Sequence, residues 1–157
     1  MIKFHNEDDM TINEIGIDEA GRGPMFGPVY VAAVVLPRND FKYEILKDSK
    51  KFTSKKKICE CAEYIKNNAL YYSITSADAN TIDKINIREA TIRCMHESIA
   101  NILKNDIDKE KTIALVDGND FKPYMYFDSS YNELTSITVK GGDNKYCSIA
   151  AASIIAK

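Results

Sequence analysis

The segment "CSIAAASIIAK" (147–157) gives water no side to face. A helix built from it is small and apolar all round, so it must be packed deep against another layer. It is far short of the roughly 18 apolar residues that a membrane span requires, and no other run approaches that length. The chain therefore has to supply a sheet that can cover such a helix, and its patterning does so. "NEIGID" (13–18) reads as a short strand. "PVYVAAVVLP" (28–37) reads as a second, rich in β-branched residues and closed by proline. The loop between them is short enough for the two to pair antiparallel. "ALYYSITS" (69–76), "KTIALVDGND" (111–120) and "LTSITV" (134–139) are further strands.

Two other helices are expected. "TSKKKICECAEYIKNN" (53–68) has Ser54 as an N-cap candidate and Ile58, Cys61 or Ala62, and Ile65 on one face. "DKINIREATIRCMHESIANILKN" (83–105) repeats Ile92, Met95, Ile99, Ile102 and Leu103 at helical spacing, with His96 on the flank of that stripe. The order is strand, strand, helix, strand, helix, strand, strand, helix. It predicts an α/β layer fold with a partly antiparallel sheet. The 157 residues suit one core, and no repeat, linker or low-complexity segment divides them.

Composition mainly excludes. The N-terminus "MIKFHNEDDM" is too acidic for a signal peptide, which leaves the cytoplasm as the expected location and reduced thiols as the expected state of Cys59, Cys61, Cys94 and Cys147. With only His5 and His96 to join them, those cysteines do not make a zinc-site spacing. A net charge of −2 argues against a basic nucleic-acid protein overall. Charge is nevertheless uneven, since "KDSKKFTSKKK" (47–57) holds six lysines in eleven residues. On position alone this cluster is a solvated loop and helix start.

Four acids share a pattern. Asp18 and Glu19 end the first strand, Asp117 ends "IALVD", and Asp143 lies in a glycine-rich turn before the last helix. In open α/β sheets, sites form at the carboxyl ends of strands. Carboxylates gathered there repel one another and raise each other's pKa values unless a cation joins them, and oxygen donors of this kind suit Mg²⁺ or Mn²⁺. Two such ions can be accommodated. Adjacent residues on a regular strand point to opposite faces. Asp18 and Glu19 can therefore serve one site only if the strand ends or bends there, or if one of them uses its backbone carbonyl. The loop that follows, "AGRGPMFG", is neither a dinucleotide-binding G-x-G-x-x-G nor a P-loop, because strand rather than helix comes next. What it offers is bare backbone around Arg22, suited to approaching a sugar or phosphate closely.

These motifs together resemble ribonuclease HII. The matching stretches are "GIDEAGRGP" (16–24), "DSKK" (48–51), "INIREAT" (85–91), "VDGN" (116–119), "KGGD" (140–143) and "SIAAASIIAK" (148–157). The resemblance implies an RNase H-like fold with a mixed five-stranded sheet flanked by helices. It implies hydrolysis of the RNA strand of RNA–DNA hybrids, and incision at ribonucleotides embedded in duplex DNA. By match, Asp18, Glu19, Asp117 and Asp143 are catalytic and bind two Mg²⁺ or Mn²⁺ ions. Gly21, Arg22 and Gly23 match the loop that reads the ribose 2′-hydroxyl, the group that distinguishes RNA from DNA. Lys50, Lys51, Asn86 and Ser153 fall where the family meets nucleic acid. The implied mechanism is two-metal hydrolysis leaving a 3′-hydroxyl and a 5′-phosphate. The resemblance also implies a monomer and a further C-terminal helical part that these 157 residues lack, one that a second polypeptide could complete. An inactive or partner-dependent nucleic-acid-binding remnant of the same fold is the alternative reading. The doubled glycine of "KGGD" exceeds the family's usual spacing, and the loop is expected to absorb it.

Overall fold

The first two strands do form a hairpin. In the computed structural model, which describes residues 2–21, 27–48 and 54–157, β1 (Asn13–Ala20) runs antiparallel to β2 (Val29–Val35), with Ile15 opposite Val35 and Ala20 opposite Tyr30. β2 pairs antiparallel with β3 (Tyr71–Ala77). On its other edge β1 runs parallel to β4 (Thr112–Asp117), and β4 runs parallel to β7 (Thr135–Val139). The result is a mixed five-stranded sheet in the order β3-β2-β1-β4-β7. The strand reversal at β1 and the parallel β1–β4–β7 half bring three strand ends to one edge.

Alternation along the strands sorts the two faces. Ile15 and Ile17 of β1, with Ala114 and Val116 of β4, pack with Ala90, Cys94, Met95 and Ile99 of α4 (Ile87–Leu103). The opposite face carries α5 (Cys147–Ala156), with α2 (Lys55–Asn68) behind it contributing buried Cys61 and Ile65. All ten residues of α5 are buried, as its sequence requires. A short α1 (Glu44–Asp48) adds Leu46 to the same core. α5 comes close to β1 because position 16 is glycine: a Cβ there would stand 2.1 Å from the Ser148 carbonyl carbon. Among the described residues no helix is long and apolar enough to cross a membrane.

The chain before β1 is strapped to this core by a buried ion pair. Glu14, 2% exposed, accepts from the His5 and Asn6 amides and from Arg38 Nη2. The guanidinium also donates to the carbonyls of Asn6 and Ile12 and lies over the Phe4 ring. A buried carboxylate satisfied in this way holds geometry more than it adds net stability.

Two expectations change, and one hairpin is added. The single helix expected over 83–105 is two, α3 (Ala79–Ile85) and α4, broken at Asn86, whose φ is +70°. Asn86 serves both helices: its amide closes α3 on Ile82 O, and its side chain caps α4 by accepting from Glu89 N at 2.9 Å. Asp78 caps α3 in the same manner through Thr81 N. The hairpin of β5 (Met125–Asp128) and β6 (Ser130–Glu133), turned by Ser129 at φ +64°, gave too weak an alternation to be read beforehand. Finally, β1 continues to Ala20 rather than ending at Asp18. His96, by contrast, sits where expected on the flank of α4, its Nε2 2.7 Å from the Lys122 carbonyl oxygen and its ring edge-on to Phe121 and Tyr124.

Candidate active site

The site is built at the carboxyl ends of β1 and β4. Ile17 stands beside Val116 in the parallel register, so the next residues, Asp18 and Asp117, are neighbours. Both belong to the strand face that α5 covers. Asp18 alternates with Gly16, which touches Ser148, and Asp117 alternates with Leu115 and Ile113, which pack with Ile149. Two acids thus meet under a helix whose side chains bring little compensating charge.

The electrostatic consequence is large at Asp18. It is 7% exposed, and burial first, then the Asp117 carboxylate and that of Glu19, push its carboxyl up to about 7. Two contacts oppose the rise: the Glu19 amide, donating to Asp18 Oδ1 at 2.8 Å, and the Ser153 hydroxyl. Asp117 is anchored from another direction. Its Oδ1 accepts from the main-chain N–H of Gly142 at 2.8 Å, at the start of the 3-10 turn Gly142–Asn144 that carries Asp143. Asp143, half-buried, therefore follows directly on the residue bonded to Asp117.

Glu19 is placed differently. Because β1 stays regular through Ala20, with Glu19 opposite Val31, Glu19 alternates with Ile15 and Ile17 and starts from the α4 face, yet its carboxylate lies near enough to Asp18 to raise that residue's proton affinity. The Glu19 main-chain amide also donates to Asp18 Oδ1. Among the described residues no three Asp, Glu, His or Cys side chains converge on one point in the manner of a metal cage. The donor set nevertheless fits a hard divalent ion, since it consists of carboxylate oxygens whose mutual repulsion a cation would relieve.

The other expected residues fall in several places. Gly21 is at φ +87°, and a Cβ on it would lie 2.5 Å from the Pro28 carbonyl oxygen, so the turn out of β1 requires glycine. Asn86 is the helix junction described above. Ser153, expected at a nucleic-acid surface, is buried on α5 with its hydroxyl turned to Asp18. Arg22, Gly23, Lys50 and Lys51 lie outside the described residues. Sequence reasoning gave no role to Gly16, whose missing side chain admits α5, or to Gly142. The doubled glycine was the available signal for Gly142. It also missed Arg88, which makes a forked pair with Asp120 at 2.8 and 2.9 Å and ties the start of α4 to the loop after β4.

Comparison with known proteins agrees with this architecture. The family model described as Ribonuclease HII matches residues 15–157. A ribonuclease HII of Cytophaga hutchinsonii is 39% identical over 157 residues, which is all of this chain and 70% of that protein. Among solved structures, ribonuclease H2 from Pyrococcus horikoshii OT3 superposes with a TM-score of 0.67 at 24% identity, covering 92% of this chain and 70% of that one. Bst-RNase HIII in complex with Mn²⁺ gives 0.65 at 22%, covering 93% and 51%. These two structural likenesses support the fold. The family match and the Cytophaga identity establish the kinship: the chain belongs to the ribonuclease HII family, whose members are ribonuclease H type 2 enzymes.

Proposed function

We propose that this protein hydrolyses the RNA strand of RNA–DNA hybrids and incises duplex DNA at embedded ribonucleotides, using divalent cations held by Asp18, Asp117, Asp143 and Glu19. The observation that carries this reading is the pairing of Asp18 with Asp117 on one face of adjacent parallel strands, where the Asp117 carboxylate raises the proton affinity of the buried Asp18. Such an arrangement is costly unless a cation takes the place of the proton. The Mn²⁺ bound by Bst-RNase HIII, a protein of like fold, points the same way.

The chain's own groups have distinct parts. Asp18 and Asp117 face the site with one oxygen each pinned by a backbone N–H, which fixes the direction of the other oxygen. Asp143 enters from the turn before α5. The Ser153 hydroxyl steadies Asp18 in its ionised form. When bound, paired divalent ions would supply activation of a water and stabilisation of the leaving oxygen in an in-line displacement, with 3′-hydroxyl and 5′-phosphate products. Gly21, Arg22 and Gly23 would recognise the ribose 2′-hydroxyl, the group that separates RNA from DNA. No histidine or cysteine nucleophile enters this scheme.

The test is a DNA duplex carrying one ribonucleotide, incubated with the protein and Mg²⁺ or Mn²⁺. We expect incision at the ribonucleotide, leaving 3′-hydroxyl and 5′-phosphate ends, absent in Asp18→Asn and Asp117→Asn. Asp143→Asn should lower incision far more than duplex binding. Binding without incision by the unmodified protein would replace this reading with that of a nucleic-acid-binding remnant, and all-DNA cleavage at a comparable rate would also defeat it.

A further inference from the structure

We infer that Gly142 is a positioning residue for the acidic site: its main-chain N–H aims the Asp117 carboxylate and locks Asp117 to Asp143 as one unit for divalent-ion binding. The inference rests on the nuclease reading and assigns a task to the second glycine of "KGGD".

The geometry around this residue leaves little freedom. Gly142 is buried, and both of its backbone groups are engaged. The N–H donates to Asp117 Oδ1 at 2.8 Å. The carbonyl accepts from the amides of Lys145 and Tyr146 at 2.9 and 2.8 Å, which leads the chain into α5. Gly141 before it takes the left-handed conformation, φ +67°, that lets the chain reverse after β7 and present the Gly142 amide to the end of β4. A second tie, from Gly118 N to Val139 O at 2.9 Å, holds the ends of β4 and β7 together beside it. The site also has no room for a side chain at 142. A Cβ would stand 2.6 Å from Ile149 Cδ1, 3.3 Å from Val139 Cβ and 3.3 Å from the same Asp117 Oδ1 that the amide holds.

A hydrogen bond to one carboxylate oxygen determines where the other points, and partners of this kind typically govern metal affinity by about 10–100-fold. With Oδ1 held by the amide, Oδ2 is the Asp117 oxygen that turns towards an ion. Because Asp143 is the next residue in the chain, anything that displaces the Gly142 amide moves both acids. The glycine is therefore needed twice, once for its amide and once for the absence of a Cβ next to the carboxylate.

The experiment measures Mn²⁺ binding by the intact 157-residue protein, by electron paramagnetic resonance of the free ion, in four forms: unmodified, Ile149→Val, Gly142→Ala, and Gly142→Ala with Ile149→Val. The valine removes Cδ1, the atom nearest the new methyl group, and so relieves packing while leaving the contact with Asp117. We expect Ile149→Val to bind like the unmodified protein and the double variant to bind roughly tenfold more weakly at restored thermal stability. Unmodified affinity in the folded double variant overturns the inference. If neither glycine variant folds, the Gly142 amide resonance of the unmodified protein decides. It should move on Mg²⁺ addition and in Asp117→Asn, and a stationary resonance overturns the inference. A protein that binds Mn²⁺ through this latch yet never incises refutes the nuclease reading alone. Incision with an unweakened double variant refutes the latch alone, and an unmodified protein that binds no Mn²⁺ refutes both.

Discussion

Asp18 is the residue at which the cost of the site is concentrated. Its folded pKa, about 7, stands above the ordinary value of 3.8, so between those two pH values the folded chain holds a proton that the unfolded chain has released. Stability of the metal-free protein therefore falls as pH rises from about 4 to about 7, and the effect levels off above. At 1.36 kcal/mol per pH unit the upper bound is roughly 4 kcal/mol. Thermal melts at pH 5 and pH 8 should show a decrease of several degrees that Asp18→Asn largely removes. Mg²⁺ should raise the melting temperature more at pH 8 than at pH 5, because it binds the ionised form of the folded state. That Asp18 lies near the carboxyl end of a strand was legible from the sequence. That Asp117 would be the neighbour raising its pKa was not, because strand register is a long-range property.

At the scale of elements, the junction at Asn86 shows how one residue can organise two helices. Its positive φ favours asparagine or glycine, and its side chain supplies the N-cap of α4. Asn86→Ala should cost about 1–2 kcal/mol, losing the cap and straining the backbone. Asn86→Gly should cost less, since only the cap is lost. Denaturant melts of the two variants check this order. If Asn86→Gly also weakens hybrid binding while stability scarcely changes, the residue has the nucleic-acid contact expected from the family as well. The apolar repeat from Ile92 to Leu103 made α4 readable in advance. It could not show the break, because the residues before it are too polar to reveal where one helix gives way to another. α5 was the easiest element to read, since a segment with no polar face has only one place to go.

Across the whole molecule, charge is small in sum and uneven in place. Lys55, Lys56 and Lys57 open α2 and are exposed, and they follow Lys50 and Lys51 closely in the sequence. If the last two contact phosphates, Lys50→Ala with Lys51→Ala should flatten the salt dependence of hybrid binding by nearly two in log–log slope, as measured by titration at several salt concentrations. An unchanged slope returns them to the role of solvated surface. The amino-acid sequence by itself determined the five strands of the main sheet, helices α2, α4 and α5, the need for a sheet under α5, and which acids lie near the ends of strands, because periodicity and turn residues act over a few neighbours. The tertiary structure alone decided that Asp18 and Asp117 share a face and that Glu19 starts from the other. It alone decided that Gly16 admits α5 and that an amide from the loop before α5 reaches Asp117. Those facts depend on how β1, β4 and β7 come into register, and register is set by contacts between residues about a hundred positions apart for β1 with β4 and about twenty for β4 with β7, beyond the reach of any local pattern.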